Sequence, residues 1–174
     1  PLNVEVQGPH DRDGDEVTVT IGSTAGVTYT LNDQVGSDSY EITNFFKKST
    51  GKSELSFLTW VSSIYTTTTT GKLDVDLIFW DSPPSTGSSD GDPFSITAAN
   101  LNKYQGHLEI RENHWSGELG VTDRFGQVPP AELGHELSAA TTSVYFSVVY
   151  RGADFSIATG ETLKFKFGSR YLDK

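Results

Sequence analysis

At 174 residues with no cysteine and a formal net charge of −10, the chain is long enough for one domain with its own core. It carries no disulfide framework, thiolate nucleophile or Cys-based zinc site. The acidic balance excludes the clustered-cation footprint of a nucleic-acid binder and disfavours docking on an anionic membrane. No run approaches the roughly 20 apolar residues of a membrane-spanning helix.

Taken in chain order, the sequence reads as short strands separated by Gly, Ser, Asp and Pro loops. Residues 2–6 (LNVEV) form an edge strand or an arm, and DRDGDE (11–16) is a charged turn. In EVTVTIG, Val17, Val19 and Ile21 share one face, and VTYTL (27–31) follows as its expected hairpin partner. A strand is predicted within 38–46, and 54–65 (ELSFLTWVSSIY) reads as a longer strand with both faces apolar around Phe57, Leu58 and Trp60. The threonine run at 66–70 has β propensity but no period. LDVDLIFW (73–80) is the clearest core strand: Leu73, Val75, Leu77 and Phe79 point one way, and Asp74, Asp76, Ile78 and Trp80 the other. Residues 81–93 are expected to be an exposed loop.

AANLNKY (98–104) is the best helical turn, with Thr97 as its N-cap. GHLEIRE (106–112) places Leu108 and Ile110 inward, with His107, Glu109 and Arg111 outward. A short strand follows near 118–122, and PPAELGHELSAA (129–140) reads as irregular or briefly helical. SVYFSVVY (143–150) and ETLKFKF (161–167) then complete a core. The expected fold is all-β: a two-sheet β-sandwich, jelly-roll-like, with at most one or two short helical turns. It forms a single domain over 1–174, with an N-terminal arm within 1–15. An immunoglobulin-like sandwich is the alternative, although its Cys…Trp…Cys marker is missing.

Motifs that would carry chemistry do not assemble. An EF-hand starting at Asp11 would need Gly sixth and Glu twelfth, where Glu16 and Gly22 stand. Asp90 and Asp92, beside Gly91, read as another solvated turn. His107, Glu112 and His114 lack the order of a cupin metal set, so no metal or other cofactor is expected. Asp74, Asp76, Glu109 and Glu118 are acids on outward strand faces, available to glycosidase chemistry only if two converge in a cleft. No nucleophile elbow or phosphate loop occurs. The best exposed-aromatic candidate is the loop Asn113, His114 and Trp115, a platform for a sugar or a protein.

Between Lys72 and Phe167 a set of spaced pieces occurs: Val75-Asp76-Leu77-Ile78-Phe79-Trp80, Asp81-Ser82-Pro83, Asp92-Pro93-Phe94-Ser95-Ile96-Thr97-Ala98-Ala99-Asn100-Leu101, Tyr150-Arg151-Gly152 and Thr159-Gly160-Glu161-Thr162-Leu163. This segment, a little over half the chain, resembles tailed-bacteriophage virion proteins of the head-decoration (cement) type. The resemblance implies a β-sandwich on the outer capsid surface, made in the host cytoplasm, that bridges neighbouring major-capsid subunits. Its partners would be the major capsid protein and its own copies, a trimer being favoured, with no nucleic acid and no membrane.

Such a protein works without catalysis, and an acidic surface keeps it soluble before assembly. Pro1, Leu2, Asn3, Val4, Glu5 and Val6 are then the candidate capsid or neighbour clasp, since an arm added to another chain's sheet gains main-chain hydrogen bonds without a pocket. The same residues would serve equally to close the domain's own sheet. A carbohydrate- or receptor-binding module, and an enzyme with paired carboxylates, are the rival functions.

Overall fold

Alternating apolar and polar residues make each segment a ribbon with one oily face, and two such faces are best hidden against each other. The computed structural model describes residues 11–21, 27–46, 51–63, 73–118, 123–127, 135–156 and 161–171. Two antiparallel sheets pack together. One runs β1 (Asp11–Ile21), β12 (Glu161–Tyr171), β4 (Gly51–Ser63), β8 (Asp123–Gln127) and β7 (Trp115–Glu118), with β9 (Glu136–Ala139) pairing the other end of β4. The other runs β3 (Tyr40–Ile42), β10 (Val144–Tyr150), β5 (Val75–Trp80) and β6 (Tyr104–Ile110). A small ribbon joins β2 (Thr28–Tyr29) to β11 (Phe155–Ser156).

The pairing is nested. β1 pairs with β12, β2 with β11, β3 with β10 and β4 with β9, and the series closes on β5 and β6. An antiparallel ribbon wound over itself in this way, its larger pairs falling in alternate sheets, is the jelly roll expected from the strand list. It differs from the immunoglobulin arrangement, which divides its strands as ABED and CFG.

One buried apolar cluster spans both sheets, drawing Val75, Leu77 and Phe79 from β5, Phe146 and Val148 from β10, and Leu163, Phe165 and Phe167 from β12. Phe146 bridges the layers. Its ring centroid lies 5.6 Å from Tyr40 on its own sheet, and 5.6 Å and 5.1 Å from Phe165 and Phe167 on the other. In β4, Leu55 and Leu58 are both buried despite an odd spacing. A bulge explains this: Gly168 pairs with Phe57 and Ser169 with Leu55, so Ser56 is skipped and the inward face shifts by one residue. The side chains of Phe57 and Trp60, expected to mark a double-faced strand, lie outside those described.

Several sequence expectations are corrected. Residues 27–31 do not form a hairpin with β1: β1 pairs with β12, and β2 pairs with β11. Part of 129–140 is strand β9, not a helical turn. Thr97 does stand at the N-cap of the short helix α1 (Ala98–Leu101), but its side chain makes no capping bond.

The largest correction concerns 81–93. The outward face of β5 and β10 is not left to water: Ile78, Trp80 and Val149 form a second buried cluster with Phe94 and Tyr145 packed on it. Segments 30–38 and 81–94 roof this cluster through backbone bonds, Gln34 N to Asp92 O (2.8 Å), Gly91 N to Gln34 O (2.9 Å) and Phe94 N to Asn32 O (2.8 Å). Trp80 Nε1 donates to Ser147 Oγ (2.9 Å), which donates to Asp38 O (2.5 Å). The Thr86 hydroxyl lies 2.7 Å from both Gln34 Oε1 and Asp38 Oδ1.

Asp90, expected in a solvated turn, is directed inward, where its Oδ1 accepts from the Tyr29 hydroxyl (2.5 Å) and from Gly36 N (2.7 Å). Gly36 is required here: its φ is +75°, and a Cβ would stand 2.0 Å from the Tyr40 hydroxyl.

Candidate functional site

The aromatic loop chosen from sequence is mostly not a surface. Glu112–His114 form a single 3₁₀ turn that leads directly into β7. Asn113 is exposed, as expected, but His114 and Trp115 are only 8% and 7% exposed. His114 Nδ1 accepts from Arg111 N (3.2 Å), and Trp115 Nε1 donates to Leu73 O (3.3 Å) from within the main core. Trp115 therefore offers no free ring face for a sugar. The other candidate, Pro1 to Val6, lies outside the described residues.

The acids considered for catalysis are organised differently from a cleft. Asp76 and Glu109 are cross-strand partners of β5 and β6, which sets them on one face. Asp76 is only 5% exposed, with Arg151 Nε 2.6 Å from its Oδ2 and Arg111 Nη2 2.8 Å from its Oδ1. The Arg111 contact is ionic, without a well-aligned hydrogen bond to Oδ1. Arg111 also reaches Glu109 Oε2 (3.2 Å) and Val75 O (3.1 Å), and Arg151 Nη1 bonds Asn32 Oδ1. The result ties β5, β6 and the turn after β10 together, with both Asp76 oxygens facing guanidinium groups. The side chain of Glu118 lies outside those described.

Beside this cluster an open hollow of about 560 Å³ is lined by Asp74, Arg111, Glu112, Asn113 and Trp115. Among the described residues no three His, Asp or Glu side chains are grouped to hold a metal ion. Nearby, burial first, and then the charges of Asp74 and Asp154, push the Tyr150 hydroxyl up to about 12. That hydroxyl donates to Ala153 O at 2.6 Å.

At the far end of β6, the His135 ring lies over Gly106. Its own burial, and then His107, push its pKa below the ordinary histidine value. The folded chain thus resists a proton that the unfolded chain takes up near pH 6.5. Stability present above that pH is lost as pH falls through and below it. Melting midpoints between about pH 7.5 and 5.5 should fall in the native protein and fall less in His135→Gln. Equal slopes would clear His135 of the effect.

The surface feature that sequence reasoning missed is an exposed apolar strip next to the roof. Ile96, Leu101 and Tyr104 are 40%, 61% and 43% exposed, and Ala98 and Ala99 between them are exposed as well. The strip is held from below. Asn100 is buried, its Nδ2 donating to Ser85 O (2.6 Å) and its Oδ1 accepting from Ser85 N (3.4 Å). Lys103 Nζ donates to Pro83 O (2.6 Å), and the Tyr104 ring packs edge-on against Trp80 at 6.1 Å. A hydrophobic run that failed to fit any periodic strand was the signal available.

No family model and no curated protein matches the chain. Among solved structures it is similar to a chain in the structure of infectious bursal disease virus Gt strain, with TM-score 0.27 and 8% identity over 98% of this chain. A chain in the structure of the Gx strain gives TM-score 0.24 and 10% identity, again over 98% of this chain. The protein spans 40% and 41% of the length of those two chains.

Proposed function

We propose that the chain is a structural virion protein that binds the outer surface of a phage capsid and stabilises contacts between major capsid subunits. It acts through contact area and transforms no molecule. The observation that carries this reading is the pinned roof. Gln34, Thr86, Asp90 and Asn100 use their hydrogen bonds to fix loops into a firm surface from which apolar side chains project. Exposed apolar patches with polar rims mark contact sites between proteins, and fixing them beforehand lowers the ordering cost of docking.

The sequence resemblance over 72–167 supports the same reading, and it includes both the roof loop and the strip. Jelly rolls also serve as lectin domains; Trp80 and Trp115 are buried, so a sugar platform would rest on Tyr104, which is 43% exposed. Asp76, one of the four acids considered for catalysis, is engaged by two arginines.

The test is to add the purified protein to capsids of its virus prepared without it, then measure sedimentation and heat resistance. Co-sedimentation with a raised disruption temperature is expected. Failure to bind, together with saturable binding on a glycan panel, would replace this reading with the lectin one.

A further inference from the structure

Resting on the virion reading, we propose that the hollow beside Asp76 receives a lysine or arginine side chain from a partner protein, on that reading the major capsid subunit. The argument starts from an unmet hydrogen-bonding demand. Asp74 lines the hollow, and its Oδ1 is buried with no hydrogen-bond donor among the described residues. The donors around it are committed elsewhere. The two Nη atoms of Arg111 face four oxygens, Nη1 those of Val75 O (3.1 Å) and Ile110 O (3.3 Å), Nη2 those of Asp76 Oδ1 (2.8 Å) and Glu109 Oε2 (3.2 Å). Arg151 Nε is on Asp76, Trp115 Nε1 donates to Leu73 O, and the Tyr150 hydroxyl donates to Ala153 O. The hollow thus has its donors engaged and an acceptor left over, which selects a ligand that brings donors.

Charge then chooses among donors. The hollow and the ion cluster behind it hold Asp74, Asp76, Glu109 and Glu112 against Arg111 and Arg151. Asp154 adds a further negative charge, acting together with Asp74 on the Tyr150 hydroxyl. A sugar hydroxyl would donate to Asp74 but bring no positive charge. A hard metal ion wants several converging carboxylate oxygens, and no three His, Asp or Glu side chains are grouped for one among the described residues. An ammonium or guanidinium on a long apolar stem supplies donors and charge together. Its stem can lie along Trp115, and the exposed Glu112 and Asn113 offer further acceptor oxygens. A chain of net charge −10 is also drawn to a basic surface from a distance.

The experiment titrates the whole chain with a capped glycine peptide carrying one central lysine, and with the same peptide carrying norleucine instead. Binding is followed by NMR at the Asn113 amide and the Trp115 indole N–H. The native protein is compared with Asp74→Asn, which keeps the shape and removes the charge. The control is Glu16→Gln, which removes the same charge at an exposed position on the other sheet. The lysine peptide should shift both signals saturably, with a Kd of about 1 mM for a lone side chain, and the norleucine peptide should shift neither. Asp74→Asn should weaken the lysine peptide about tenfold, and Glu16→Gln should leave it unchanged. Asp74→Asn should also melt no lower than the native protein, because it removes the charge from a buried oxygen that has no donor.

No saturable shift with the lysine peptide, equal shifts with norleucine, or undiminished binding in Asp74→Asn would overturn the proposal. Sedimentation of the same proteins with capsids separates this failure from failure of the virion reading. Capsid binding should weaken about tenfold in Asp74→Asn and fall as salt is added. Capsid binding indifferent to Asp74→Asn would overturn the proposal and leave the virion reading intact, any peptide binding then marking a site for free amines. A native protein that takes the lysine peptide through Asp74 but ignores capsids would sink the virion reading, with the hollow still a seat for another protein's cationic side chain.

Discussion

Phe146→Ala is expected to lower the unfolding free energy by about 3–5 kcal/mol, the range for emptying a buried aromatic site. The ring is fully buried and touches Tyr40 on its own sheet and Phe165 and Phe167 on the opposite one. Its removal opens a void between the layers that neither sheet can fill without sliding. Domains of this kind are typically stable by only about 5–15 kcal/mol, so the variant should sit near the edge of folding at 37 °C. Urea titrations should show an earlier midpoint with an unchanged slope. Phe146→Leu should recover more than half of the loss, because most of the volume returns. A loss below about 1 kcal/mol for the alanine variant would mean that the layers meet elsewhere.

Asp76→Ala is expected to cost about 2–3 kcal/mol, below the usual figure for breaking a buried ion pair because both arginines remain partly hydrated. The side chains of Arg111 and Arg151 are 31% and 30% exposed, against 7% for Asp76. The loss should persist in about 1 M salt, which screens surface pairs far more than buried ones. A double-mutant cycle with Arg151→Ala isolates the stronger contact, and near-additive losses would show that the 2.6 Å pair contributes little.

Periodicity made the inner faces legible and little beyond them. LDVDLIFW, SVYFSVVY and ETLKFKF are legible because a strand with one buried face repeats every second residue. The same rule does not name a strand's neighbour, so nothing in 27–31 points to its partner β11, which lies more than 120 residues away. The bulge at Ser56 breaks the period itself, so Leu55 and Leu58 share a buried face that strict alternation would separate.

Polar side chains were the least legible. Asp90 is held by Tyr29 from 61 residues away, and Asp76 by Arg151 from 75. An acid beside glycine looks the same in sequence whether it faces water or a distant hydroxyl. Trp115 was misplaced for a related reason: a 3₁₀ turn directly before a strand resembles a loop, while the strand it opens carries the ring inward.

The nested pairing has a mechanical corollary. β1 and β12 run antiparallel, so Asp11 sits opposite Arg170 and the start of the first strand and the end of the last share one corner of the sheet. Tension applied between those ends would unzip the outermost rungs one at a time, the weakest geometry a ladder offers. Traction spread across the broad faces would instead be shared by many rungs at once. Loads carried by this fold are therefore best borne across the faces of its sheets.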